Sequence, residues 1–311
     1  MTEPSSVEKT APAIAPATAP AIAAESVPLT FIRILSKPYL RTTALLCIAS
    51  IFRNFFLFQY RSALLPGRIP VSRVDHPLDI KIPFLPGRVN TYLDFVAFWV
   101  RTLGFLVRTC GRRVFEPVRN FLESMGNLYA CAAEVYRIHL STTDRPFYVR
   151  RPRFLLIHMV DPHLMCIPSL HVMIVIQTYT LFRGIIKGLE EEERFTAQAE
   201  ELWQGALDIT EAVLYVKQHS VNCISAALYA MTCFNPRLFP PAEAEHFVSG
   251  IFTRPLADKP VNDEDGSVIR EHILSLYKRF IAQREAAADS GGDWREPLFT
   301  FLRESPPRNK R

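Results

Sequence analysis

The chain has no C-x-x-C pair, and its six cysteines are scattered, which excludes a zinc ribbon or disulfide framework and points to reduced thiols. Glycine is scarce, at 12 of 311 residues, and alternating apolar–polar runs are few, so the long segments read as helices rather than strands. A basic start followed by a continuous apolar segment is missing at the N-terminus, so no secretory signal is expected. Long stretches free of charge are also rare. The two longest are Pro162 to Phe182 and Gln218 to Pro236, and only these approach the roughly 20 apolar residues of a membrane span. Lysine is absent between Arg101 and Arg153, a segment with ten arginines and four acids.

Nearly half of the residues are hydrophobic, enough for a sizeable core or a membrane bundle. The mean hydropathy of +0.08 lies between a soluble enzyme and a multi-pass protein. Residues 1–30 read as a disordered Ala/Pro-rich tail, 31–254 as a helical bundle, and 255–311 as a linker, an amphipathic helix and a polar tail. Within the bundle, helices are expected over 40–60, 92–107, 121–140, 169–184, 202–216 and 220–234. Residues 61–90 hold five prolines at a spacing no helix interior tolerates and read as a loop. The amphipathic helix is expected over 268–283. The arginine-rich stretch suits phosphate groups or an anionic membrane surface. No nucleic-acid-binding motif accompanies it, so no nucleic-acid partner is expected. The expectation is an all-α fold, a six-helix core embedded in a membrane as a multi-pass protein. A soluble all-helical bundle, with 169–184 and 220–234 as its most buried helices, is the alternative.

Pro168-Ser169-Leu170-His171 stands at the head of one charge-free run. Read alone it is a helix start, with Ser169 as N-cap. Lys217-Gln218-His219-Ser220 stands at the head of the other, His219 lying 48 residues after His171. Two histidines at the starts of two buried helices can face each other across a bundle.

IPSLHV followed by VKQHSV resembles the second and third motifs of the type 2 phosphatidic acid phosphatase superfamily, in its inositol-phosphotransferase-like branch. The resemblance covers about residues 145–235. It implies a helical, mostly membrane-embedded bundle that cleaves or transfers phosphate groups on a lipid substrate without metal or cofactor. His219 would be the nucleophile, forming a phosphohistidine, and His171 would protonate the leaving alcohol. Ser169 and the first amides of its helix, beginning at Leu170, would hold phosphate oxygens. The family's first motif ends in Arg-Pro, which points to Arg151 first and Arg145 second as cationic clamps, with Lys217 as a further cation.

The third motif departs from the family's pattern. Its aspartate, four residues after the nucleophilic histidine, is Cys223 here, and its arginine is Val213. A histidine without an orienting carboxylate is a poorer nucleophile. Asp208 or Glu211 on the preceding helix are candidate substitutes. Two other readings follow: a degenerate member that binds lipid phosphate or a protein partner without turnover, and a metal-dependent hydrolase built on His158, Asp161 and His163.

Overall fold

The computed structural model describes residues 20–254, 261–288 and 292–308, and it is predominantly helical. In chain order come α1 (Val27–Leu35), α2 (Pro38–Leu64, with π-type turns from Phe52 to Leu57), β1 (Val71–Arg73), α3 (Phe95–Cys110), α4 (Phe115–Tyr136), β2 (Leu140–Thr142), α5 (Pro152–Val160) and α6 (Leu170–Gly188). There follow α7 (Thr196–Tyr215), α8 (Val221–Phe234), α9 (Pro241–Gly250), α10 (Asp263–Ala288) and α11 (Glu296–Glu304).

The two charge-free runs become the centre of the molecule. α6 packs against α3, α4, α7 and α8, and α8 is buried from Val221 through Thr232. Both are enclosed by protein, so their apolar character serves the core. Among the described residues one helix, α2, is long and apolar enough to cross a membrane. The all-α expectation holds, and the described helices do not support a multi-pass arrangement.

The expected boundary at 255 is not a boundary in the packing. α10 lies along α8, burying Ile269, Ile273, Tyr277 and Phe280, and Ser225 Oγ donates to the Ile273 carbonyl at 3.0 Å. The amphipathic helix expected over 268–283 is thus present as the longer α10, with its apolar face turned to α8. Residues 1–19 of the expected tail lie outside the described residues. From residue 20 onward the tail reading fails: Ile22 is buried, its N–H and that of Ala23 donate to the Glu201 carboxylate at 2.8 and 2.6 Å, and α1 starts at Val27.

The proline-rich stretch after α2 carries β1, which pairs in parallel with β2 in the register Val71↔Leu140. This small sheet is a bracket for the loop ahead of α6. Ser141 N donates to the Leu164 carbonyl at 3.0 Å, and Ser141 Oγ accepts from the N–H groups of Cys166 and Ile167 at 3.1 and 2.7 Å. Tyr136 Oη, from the end of α4, donates to the Pro168 carbonyl at 2.5 Å. Buried main-chain groups need such partners, and here they fix where α6 begins.

Five of the ten arginines of 101–153 form ion pairs among the described residues, those of Arg108 and Arg113 with acids remote in sequence. Arg101 pairs with Asp94, Arg108 with Glu25 and Arg113 with Glu191, while Arg137 and Arg153 donate to Asn54 and Asn90.

Candidate functional site

α6 and α8 start side by side, and their first turns bring His171 and His219 together. His219 Nε2 lies 3.3 Å from His171 Nδ1, with the rings edge-on at 5.3 Å between centroids. Tyr92 stacks on the other side of His171 at 4.7 Å, and Phe95 lies at 4.2 Å. His219 is buried and His171 half-buried. Burial pushes both imidazoles down to about 3, with further contributions from the neighbouring histidines. Both rings are therefore neutral near neutral pH, with lone pairs available.

Ser169 is the N-cap residue of α6 but makes no capping bond, and its buried hydroxyl has no partner. The first N–H groups of any α-helix lack intrahelical acceptors, so Leu170 and its successors present amides and an unpaired hydroxyl beside His171. His219 Nδ1 is the second buried polar atom here without a hydrogen bond. The Cys166 main-chain carbonyl is near enough to this ring to favour its charged form slightly. Unsatisfied buried polar atoms are rare and costly in folded proteins. Several such side-chain atoms occur among the described residues, and these two stand on adjacent helix starts beside a histidine pair, where one polar ligand could reach both.

α8 begins differently. Ser220 Oγ accepts from Asn222 N at 3.3 Å, and Cys223 Sγ accepts from Ser220 N at 3.4 Å, a capping box with a thiol in the usual place of a carboxylate. The Asp79 carboxylate also accepts from Val221 N at 3.0 Å. The residue at the family's aspartate position thus caps a helix and does not hold His219. Neither proposed substitute reaches the site. Asp208 pairs with Arg254 at 2.7 Å and Arg88 at 3.3 Å, and Glu211 accepts from Phe252 N at 2.8 Å.

The charge near the histidine pair comes from the segment read as a metal motif. Asp161 Oδ1 accepts from His163 N at 2.8 Å, and its Oδ2 lies 3.9 Å from His163 Nδ1 and 3.7 Å from Arg145 Nη1. Burial raises the Asp161 carboxyl, but His163 and then Arg145 outweigh it and hold it at about 2. Burial likewise opposes a charge on His163, but Cys166 and Asp161 lift it to about 9. The Cys166 thiol, 3.8 Å from His163 Nε2, is pushed up by burial and pulled down further by the Cys223 thiol and the His163 imidazolium. His158 turns away, accepting from Tyr148 N at 3.4 Å. Among the described residues no group of three or more His, Cys, Asp and Glu side chains is arranged to hold a metal ion.

Of the expected clamps, Arg145 is the one at the site. Its guanidinium donates to Gln218 Oε1 at 3.1 Å and to the Asp161 carbonyl at 2.9 Å, tying the loop before α6 to the residue before His219. Arg151 is exposed at the head of α5, its guanidinium over Gly87. Lys217 Nζ is held by the carbonyls of Asp79 and Ile82, so its charge is already engaged.

Comparison with family models, curated proteins and solved structures finds no match in any of the three. The resemblance thus rests on the two motifs themselves. Sequence reasoning missed Tyr92, Phe95 and the Arg145–Gln218 contact. Only the aromatics of YLDF gave any signal, and nothing local indicated that this turn would reach α6.

Proposed function

We propose that the chain is a metal-independent phosphatase or phosphotransferase that works through a phosphohistidine on His219, with a lipid phosphate as substrate and a membrane as its working surface. The observation that carries the reading is the pairing of His171 and His219 at two helix starts, beside the buried and unpaired Ser169 hydroxyl. His219 Nε2, neutral and facing His171, attacks phosphorus as the ester P–O bond breaks. The leaving oxygen takes a proton from His171, and water or an alcohol then attacks the phosphohistidine. His171 is neutral in the empty site, and a bound phosphate dianion raises its pKa by placing negative charge beside it. Ser169, the amides from Leu170 onward and Arg145 supply oxygen contacts. Attack through Nε2 requires the proton on Nδ1, which has no hydrogen-bond partner among the described residues, so none of them fixes that tautomer as the family's aspartate would.

A second reading has one observation in its favour: Cys223 is committed to capping α8, so no carboxylate orients His219. It describes a protein that binds lipid phosphate, or a protein partner, without turnover. Phosphate release from a panel of lipid phosphates in EDTA separates the two. Turnover that is lost in His219→Ala and His171→Ala supports the enzyme; binding without turnover supports the second reading.

A further inference from the structure

The positive charge of this chain is concentrated in two segments, residues 26–72 and residues 101–153, each with a net charge of +6. Between Ser26 and Ser72 stand Arg33, Lys37, Arg41, Arg53, Arg61 and Arg68, with no Asp or Glu. The same segment carries α2, whose outer face is apolar and bare. Leu45, Leu46, Phe52, Leu57 and Leu64 are each more than half exposed, while Leu40, Ala44 and Cys47 on the inner face are buried where α2 packs on α4. At the head of α2 a cleft of about 830 Å³ is lined by four cations, Arg33, Lys37, Arg108 and Arg112, with Tyr39 and a single acid, Glu116. Arg33 and Arg108 share Glu25, whereas Lys37 and Arg112 form no ion pair among the described residues.

We infer that this face docks in the plane of an anionic bilayer, with the apolar side of α2 in the headgroup–acyl boundary and the cleft seating anionic headgroups. A helix with one strongly apolar face and cations along its flank suits such a position. Basic residues near a negatively charged leaflet add attraction that salt weakens. Crossing the membrane is disfavoured on two counts. Arg53 lies two residues from the midpoint of Pro38–Leu64, where a charge in a span costs most. The inner face of α2 is occupied by α4, with Gly126 allowing close approach to Cys47. α2 also touches the candidate site, since Gln59 Nε2 donates to Asp161 Oδ1 at 3.3 Å. The inference rests on the membrane part of the proposed function, and not on turnover.

The test is co-sedimentation of the full chain with vesicles of phosphatidylcholine, alone or with about a third phosphatidylserine. The variants are Leu46→Glu/Leu64→Glu on the apolar face and Lys37→Glu/Arg112→Glu in the cleft, with unchanged thermal melts as the folding control. The expected parent binds anionic vesicles at least tenfold better than neutral ones, loses binding as salt rises, and is extracted by alkaline carbonate. The leucine pair is expected to lose binding at least tenfold to both vesicles, and the cleft pair to lose only the preference for anionic ones. Three results would overturn the inference: no binding to anionic vesicles, resistance to carbonate extraction, or a dimer that the leucine pair converts to monomer with vesicle binding unchanged. Vesicle binding retained by His219→Ala, with turnover of a soluble phosphate ester assayed separately, keeps a failure of docking distinct from a failure of catalysis.

Discussion

The proposed function makes Ser169 a phosphate-binding side chain, and that role separates from a structural one by its effect on stability. Its hydroxyl is fully buried and unpaired, so it costs stability where it stands. Ser169→Ala is expected to leave the melting temperature unchanged or raise stability by about 1 kcal/mol, while phosphate release falls at least tenfold. A loss of stability with unchanged activity would make Ser169 an ordinary helix-start residue. The titrating groups of the site set a second expectation. His171 and His219 lie near 3 when folded against 6.5 when free, so the unfolded chain takes up protons first and stability falls as pH drops below about 6.5. Asp161, held at about 2, adds to the same acid loss at the lower end. His163, lifted to about 9, keeps a proton that the unfolded chain loses above 6.5, but the Cys166 thiol beside it, pulled down to about 5, has given one up, so the two offset each other between 6.5 and 9. Thermal melts are expected to show the acid loss, weakened in His219→Gln, and no alkaline loss from this pair. An acid loss unchanged in His219→Gln would show that this imidazole is not held neutral by the fold. The histidine pair was legible in the sequence because each histidine heads a charge-free run. Arg145 and Arg151 were not separable, since both precede proline and only the contact with Gln218 places Arg145 at the site.

The proposed chemistry sits at helix starts, and helix contacts set where the starts lie. α1 crosses α3 at Gly104, where a Cβ would overlap Thr30 Oγ1 on the facing helix. Gly104→Ala is expected to cost about 1–3 kcal/mol, and Thr30→Ala in the same chain to recover most of it, as thermal or urea melts would show. A full-strength Gly104→Ala would mean that α1 moves aside freely. The long helices were readable from apolar periodicity, and their limits shifted by a few residues because ends are set by caps. The Ser220–Cys223 box begins α8, and Pro152 opens α5. The short helices α5, α9 and α11 went unread because each is too brief to show a period. α11 buries Leu298 and Leu302, and Ser72 Oγ donates to the Leu302 carbonyl from 230 residues away, a partner no local window reveals.

For the molecule as a whole, apolar composition and membrane insertion separate. The runs that look most like spans are core, and much of the exposed apolar surface lies on α2, a helix interrupted by arginines. The sequence shows how apolar each segment is but not which neighbour covers it, so α6, α8 and α2 read alike until packed. The same holds for charge: Arg108 and Arg113 meet acids from distant segments, a pairing no local window reveals. The central claim concerns the histidine pair, and trapping the covalent intermediate tests it most directly. The protein would be mixed in EDTA with phosphatidic acid carrying labelled phosphate, quenched in alkali, and its label mapped to a peptide. The account expects an alkali-stable, acid-labile phosphate on His219, absent from His219→Ala and accumulating less in Ser169→Ala. Label on another residue, or turnover that persists without His219, would contradict it.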